Sequence, residues 1–326
     1  MKYLLLIGQN YSFDILRPLQ EAALQRGDQL LWFVYRSSVN TSQFQQDEHY
    51  TTDIKHAIEF NPDACFAPGN IAPSFIPGYK VQVFHGFEWK KKGHFRIRDC
   101  FDLYCTQGKL FTDKFAKLAK KHGDFDVVET GWPKMDRLFK SHSQSHHQPT
   151  IVYAPTFSPS LCSAPKLINK IEELSKKHDW HWKVKFHPKM SEELVTAFKN
   201  IEHDKLSVVE TNELGPLLHS ADVMLSDTSS IITEFMLLDK PVVTFNNLEP
   251  EPCLLNILDV NELETALESA LAPDRELKEA IKLQNKLMHP YKDGKSSERV
   301  LDATEHLILR GKKSKPLPLN LFRNLK

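Results

Sequence analysis

Residues 221–245 read ADVMLSDTSSIITEFMLLDKPVVTF, and this stretch decides the fold class. DVMLSD is a short apolar run without polar alternation, as expected of a strand covered on both faces. TSSIITEFMLL reads as a helix, and KPVVTF as a second buried strand. Strand, helix and strand in that order make a parallel pair joined by a crossover, the repeating unit of α/β folds.

The same alternation continues in both directions. Upstream lie TIVYAPTF (strand), APKLINKIEELSKKH (helix), HWKVKFHP (strand), SEELVTAFKNI (helix), KLSVVET (strand) and ELGPLLHSA (helix). Downstream, NELETALESALA is another helix. The first half repeats the pattern from KYLLLIG, a buried strand, and ILRPLQEAALQRG, a helix stopped at Gly27, to DVVETGWP. Between the halves, KSHSQSHHQP (140–149) is polar, aperiodic and ends in proline, which reads as an interdomain linker. The expected architecture is α/β, with two doubly wound Rossmann-like domains facing a cleft. The expected boundaries are 1–145 and 150–305, with a tail at 306–326. No G-x-G-x-x-G follows the first strand, which disfavours dinucleotide oxidoreductase chemistry.

A chain of 326 residues suits two such domains. It holds 42 basic and 42 acidic residues, so bulk charge does not point to nucleic acid, and an anion site has to come from local clustering. No apolar run approaches the roughly 20 residues of a membrane-spanning helix. MKYLLLIGQN reads as a first buried strand rather than a signal peptide. Five cysteines, none in a C-x-x-C, fit free thiols in a reducing cytoplasm. His142, His146 and His147 fit a solvated linker, because no carboxylate or cysteine ligands accompany them.

Three stretches can carry chemistry. After the strand ending at Leu225 come Ser226, Asp227, Thr228, Ser229 and Ser230, and then a helix begins. Hydroxyls at a helix start either cap it or hydrogen-bond phosphate oxygens. Glu234 lies inside that helix among apolar residues, where it is either exposed or engaged in function. In KVKFHPKM (183–190) the strand alternation ends at His187, with Lys183, Lys185 and Lys189 around it. In VFHGFEWKKKGH (83–94) a strand delivers His85 to its tip, followed by Lys90, Lys91, Lys92, His94, Arg96 and Arg98. Two strand-tip histidines, one in each half, are a stronger observation than either alone. A histidine side chain titrating near ~6.5 suits a general base acting on a hydroxyl, and the basic run suits a phosphorylated or membrane-bound acceptor.

VFHGFEWKKKG, ETGWPKMDRLF, IVYAPTF, VKFHPKM, ADVMLSDTSSIITEFMLLDKPVVTF and YKDGKSSERV occur in this order. Together they resemble the CDP-glycerol glycerophosphotransferase family, which includes teichoic acid primases and polymerases. The resemblance implies a GT-B-like fold and an acceptor hydroxyl that attacks the β-phosphate of CDP-glycerol, or a related CDP-alditol, with release of CMP. It matches His85 to a general base, His187 to a group supporting the diphosphate, Ser229 and Ser230 to phosphate binders, and Glu234 to the acidic position after them. Lys90, Lys91, Lys92 and Arg137 are the acceptor-side candidates, and DGKSSER (293–299) aligns without an assigned role. The implied acceptor is a glycan or lipid-linked hydroxyl in teichoic acid, capsule or lipopolysaccharide synthesis. The module lacks the long N-terminal extension of many teichoic acid polymerases. YAPTF runs on into SPSLCS, where many family members carry a basic or aromatic residue.

No tightly bound metal is expected, with loosely bound Mg²⁺ on the diphosphate left open. Two other readings stand beside this one: a UDP-GlcNAc 2-epimerase-like or other GT-B sugar-nucleotide enzyme, and a non-catalytic nucleotide-binding scaffold. In the tail, Arg310, Lys312, Lys313 and Lys315 precede Leu317, Leu319, Leu321 and Phe322. That pattern reads as a frayed chain end, as a strap packed on the N-terminal domain, or, by a small margin the preferred reading, as peripheral attachment of a cytoplasmic protein to the anionic inner face of the membrane.

Overall fold

The computed structural model describes residues 1–87, 89–90, 92–141, 148–211 and 214–311. The chain forms two compact units: Met1–Arg137 together with the chain from Lys286 onward, and Leu138–Asn285.

The first unit is built from β1 (Lys2–Ile7), α1 (Ser12–Gln25), β2 (Gln29–Val34), β3 (Tyr50–Thr51), α2 (Ile54–Glu59), β4 (Ala64–Ala67), β5 (Tyr79–Gln82), β6 (Leu103–Thr106), α3 (Lys109–His122) and β7 (Asp126–Glu129). Then α4 (Lys134–Lys140) leads out of it. The strands form a 7-stranded sheet in the order β3-β2-β1-β4-β5-β6-β7, every adjacent pair parallel. Apolar runs without alternation become central strands. Leu4, Leu5, Leu6 and Ile7 of β1 are all buried, as a sheet covered on both faces requires. Phe111 and Phe115 of α3 pack with Tyr104, Phe84 and Phe125 in the core on one face.

The second unit continues with β8 (Thr150–Tyr153), α5 (Ala164–Lys177), β9 (His181–Val184), α6 (Glu192–Lys199), β10 (Leu206–Val208), α7 (Leu214–Ser220), β11 (Val223–Ser226), α8 (Ile231–Met236), β12 (Val242–Phe245), β13 (Leu254–Ile257), α9 (Leu263–Leu271) and α10 (Arg275–Met288). Its 6-stranded sheet runs β10-β9-β8-β11-β12-β13, again all parallel. This is the strand order of a Rossmann domain, in which the direction of winding reverses between the first and fourth strands. The reversal falls between β8 and β11 here, and between β1 and β4 in the first unit. Two doubly wound parallel sheets are what the alternation predicts.

The domain boundaries differ from the expectation. The chain returns to the first unit at Lys286, inside α10, rather than staying in the second unit to residue 305. The last helix, α11 (Ser296–Arg310), packs on α1. There Arg26 pairs with Asp302 at 2.7 Å and donates to the Glu298 carbonyl at 3.1 Å. The helix also runs past residue 306, where the tail was expected to begin. Residues 312–326, with most of the proposed membrane motif, and 142–147 of the linker lie outside the described residues.

Candidate active site

In the second unit the site is assembled at the winding reversal, and Asp227 organises it. Asp227 follows β11 and is 0% exposed. Its carboxylate accepts from the Thr156 N–H (3.0 Å), the Ser163 N–H (3.0 Å), the Ser163 hydroxyl (2.9 Å) and the Thr228 N–H (2.6 Å). The Asn247 amide donates to the Asp227 carbonyl at 2.7 Å, and the Ser226 hydroxyl to the Ala154 carbonyl at 2.6 Å. The loops after β8 and β11 are thereby tied to one buried carboxylate, and the loop after β12 to the main-chain carbonyl of the same residue.

The five-residue loop expected to bind phosphate therefore divides. Ser226 and Asp227 are buried and committed to neighbouring protein groups, so they build the site rather than face it. Ser229 is half-buried and Ser230 exposed. Ser230 stands at the cap position of α8 without its side chain capping the helix, which removes simple capping as the reason for it. Glu234 is only 8% exposed, so the surface reading of that carboxylate does not hold.

His187 is exposed and lies three residues beyond the end of β9 rather than on the strand. Its Nδ1 accepts the Lys189 N–H at 3.1 Å, so in the neutral ring the proton sits on Nε2. Phe157, next in the chain to the Thr156 that Asp227 holds, stacks on the His187 ring at 4.4 Å. Lys189 lies 5.7 Å from the centre of the same Phe157 ring. The structure thus brings His187 and the Asp227 loop together through Phe157, the aromatic residue of YAPTF. Partial burial, Lys189 and Lys185 push the His187 pKa below its ordinary 6.5, so the ring is a neutral N–H donor near pH 7. Lys185 and His187 line a cavity of about 640 Å³. Lys183 is turned to the Ser220 hydroxyl at 3.0 Å.

In the first unit, β5 ends at Gln82, and the Val83 N–H still pairs with the Ala67 carbonyl at 3.0 Å. Phe84 then takes φ +60°, a left-handed conformation that bulky residues rarely adopt. Such a residue costs about 1–3 kcal/mol and persists only where its surroundings impose it. Here they do: Phe84 is buried, its ring stacks on His94 at 5.0 Å, and its carbonyl accepts from the Trp132 indole at 3.3 Å. The turn delivers His85, whose Nδ1 lies 3.2 Å from the Pro68 carbonyl. A carbonyl only accepts, so Nδ1 carries the proton in the neutral ring and Nε2 is the basic nitrogen. Gln82 donates to the Gly69 carbonyl at 3.1 Å and Gln107 to the Gly86 carbonyl at 2.8 Å, which fixes the corners on either side.

The basic run is less uniform than it reads. Lys90 is exposed beside Trp89, and Lys92 opens a 3₁₀ turn, but Lys91 lies outside the described residues. His94 is not part of a charged surface; it packs against Phe84, Phe95 and Phe111. Arg137 is exposed and ion-paired with Glu21 of α1.

The informative residue of GWPKMDRLF is Arg137's neighbour. Asp136 is buried and accepts the Ser296 and Ser297 N–H groups at 2.7 Å each, so it caps α11 from 160 residues away. His289, also buried, accepts the Trp132 N–H at 2.9 Å, and burial lowers its pKa to about 4. Gly131 has φ +80°, and a Cβ there would fall 2.4 Å from the Ser296 hydroxyl, so this junction admits only glycine. ETGWPKMDRLF and YKDGKSSERV therefore meet in one structural joint. No local signal could have assigned it, because each half looks like an ordinary loop.

Among the described residues, His178, Glu264 and Glu268 place three ligand atoms within 4.8 Å of one another. Glu264 is already paired with Lys177 at 2.7 Å.

A family model for CDP-glycerol:poly(glycerophosphate) glycerophosphotransferase matches residues 87–249, half of the chain. The match begins just after His85 and contains His187, the serine loop and Glu234. The teichoic acid glycerol-phosphate primase of Bacillus subtilis (strain 168) is 24% identical over 235 residues, covering 63% of this chain. The chain in turn spans 58% of that primase's length. Among solved structures, the wall teichoic acid polymerase TagF aligns with a TM-score of 0.65 at 14% identity, covering 94% of this chain and 89% of its own. A putative UDP-N-acetylglucosamine 2-epimerase from Listeria monocytogenes aligns with a TM-score of 0.70 at 14% identity, covering 95% and 97%. At such identities both likenesses speak for the two-domain α/β fold alone, and the family match separates the motifs from those of the epimerases.

Proposed function

The chain belongs to the CDP-glycerol:poly(glycerophosphate) glycerophosphotransferase family, and we propose that it moves glycerol phosphate from CDP-glycerol, or a related CDP-alditol, to a hydroxyl of a glycan or lipid-linked acceptor in cell-surface polymer synthesis. The observation that carries this reading is the family match across His187 and the serine loop. In the proposed reaction the acceptor O–H gives its proton to His85 Nε2. Its oxygen bonds to the β-phosphorus, and the bond from that phosphorus to the bridging oxygen breaks. CMP leaves with the electron pair. Ser229, Ser230 and the His187 Nε2–H hold diphosphate oxygens, and charge-assisted bonds of that kind are stronger than neutral ones. A tightly held metal has no part in the proposal, which is compatible with loosely bound Mg²⁺ on the diphosphate.

The direct test is CMP release from CDP-glycerol in a panel of CDP-alditols and nucleotide sugars. The Ser229→Ala/Ser230→Ala double variant should bind CDP at least about tenfold more weakly, the loss of about 1.4 kcal/mol, with little change in melting temperature. A lower melting temperature with unchanged CDP affinity would return these serines to a structural role.

His187 adds a pH dependence. Its pKa is depressed in the ligand-free protein, and a bound diphosphate must raise it, so binding takes up a proton below pH ~6.5. CDP affinity should therefore increase as the pH falls through that window, and calorimetry in buffers of different ionisation heat should register the uptake. His187→Gln should abolish the uptake; its persistence would place the titrating group elsewhere.

The proposal extends to an anionic membrane surface, on the strength of the basic residues Arg310, Lys312, Lys313 and Lys315 followed by Leu317, Leu319, Leu321 and Phe322. Co-sedimentation with anionic liposomes, full chain against a chain ending at Leu309, should show binding that is lost at high salt and with truncation. Equal binding by both chains would exclude the tail as the attachment.

A further inference from the structure

Two tyrosines surround the corner that holds His85. Tyr11 precedes α1, is 46% exposed, and lies over the His85 ring at 5.8 Å between centroids, with 30° between the planes. Tyr35 follows β2 and is 38% exposed. Its ring occupies the space beside Gly8, where a Cβ would come within 2.4 Å of the ring carbon and hydroxyl. The same hydroxyl is 3.7 Å from the Cβ position of Gly69, next to the Pro68 carbonyl that orients His85.

Both tyrosines thus stand at the carboxyl ends of β1, β2 and β4, where the winding of the first sheet reverses and ligands of such sheets bind. The loop carrying Tyr11 is held in place. The Ser12 and Phe13 N–H groups bond the Gln9 and Asn10 carbonyls at 3.0 and 3.2 Å, and the Asn10 side chain accepts the Asn40 N–H at 2.8 Å. A single exposed aromatic needs no explanation. Two at one sheet end, around the basic histidine of the proposed site, do.

We propose that Tyr11, with Tyr35 at the same end of the sheet, is the acceptor platform: a pyranose ring stacks its C–H face on Tyr11 and so presents a ring hydroxyl to His85. A flat aromatic face matches a cyclic sugar and offers little to an acyclic polyol phosphate, whose charges need cationic partners. The inference deepens the proposed function, since it rests on His85 as base, and it selects a sugar hydroxyl within the acceptor class.

The test uses the full chain and two readouts. With CDP-glycerol as donor, alkyl β-D-hexopyranosides should act as acceptors and sn-glycerol 3-phosphate should not. Tyr11→Leu should raise the pyranoside KM at least about tenfold with a much smaller change in kcat, and Tyr11→Phe should restore it. Saturation-transfer NMR of the same pyranosides needs no turnover. Contact at the ring protons should be present in the wild type and in Tyr11→Phe, and lost in Tyr11→Leu. Preference for sn-glycerol 3-phosphate, an unchanged pyranoside KM in folded Tyr11→Leu, or no ring-proton contact with the wild type would each overturn the platform. Failure of CMP release with every acceptor, while ring contact still depends on Tyr11, would overturn the phosphotransfer reading and leave the platform standing.

Discussion

His85→Ala should lower the rate of CMP release by about 10²–10⁴, the range that a positioned general base contributes. The structure directs the loss to a particular step. His85 belongs to the first unit, whereas Ser229, Ser230 and His187 belong to the second. CDP affinity should therefore stay within about twofold of wild type, since a group that acts only in the transition state leaves ground-state binding alone. The fold should also survive, because the strained Phe84 conformation is held by the Phe84 contacts to His94 and Trp132 and not by the His85 ring. His85→Gln keeps a polar side chain but supplies no base, and should be as slow as alanine. The measurements are single-turnover CMP release and CDP titration on the same preparations. Turnover within threefold of wild type in a folded His85→Ala protein would remove His85 from the chemistry, whatever its place in the fold.

Much of the architecture was legible because it depends on local pattern. The buried runs of β1, β8, β11 and β12 have no polar alternation, and α1, α3, α5 and α9 alternate with strands in the order that dictates parallel sheets. Short or marginal elements were not legible. The two residues of β3 carry no periodicity, and Leu254, Leu255 and Asn256 of the edge strand β13 are only half-buried. The return of the chain to the first unit was hidden for another reason. It depends on Asp136 bonding Ser296 and Ser297, and on Gly131 fitting against Ser296, contacts that span some 160 residues.

At the candidate site, both histidines were picked out by their expected place at strand tips, yet neither sits on a strand. The left-handed turn at Phe84 cannot be read from a phenylalanine, because that conformation is ordinarily signalled by glycine or asparagine. The same limit applies to the serine loop. Sequence spacing groups Ser226 and Asp227 with Ser229 and Ser230, while burial separates them into builders and accessible groups. Tyr11 was passed over because one aromatic residue in a loop says nothing until its neighbour is known to be His85.

The separation at the serine loop makes a strong prediction for Asp227. Replacement by alanine removes a buried acceptor and strands the N–H groups of Thr156, Ser163 and Thr228, while the Ser163 hydroxyl keeps the Tyr153 hydroxyl at 2.8 Å. A buried donor left unpaired costs about 1–3 kcal/mol, and because the three share one site their losses do not add fully. Asp227→Ala should therefore destabilise the second unit by about 3–5 kcal/mol, at the upper end for a single substitution. For a unit of this size that corresponds to a fall in melting temperature of roughly 10 °C or more. Asparagine is a sharper probe. It preserves the shape and one acceptor oxygen but turns its amide N–H₂ towards groups that are themselves donors, so it should recover only part of the loss. Donor binding should fail in both variants as a consequence, since the loop after β8 that carries Phe157 onto His187 is tethered through Thr156. Hydrogen exchange should show that loop and the one after β11 opening together. The opposite pattern is decisive as well: an unchanged melting temperature with CDP affinity lost would make Asp227 a direct ligand of the donor and restore it to the phosphate-binding set that its sequence neighbours suggest.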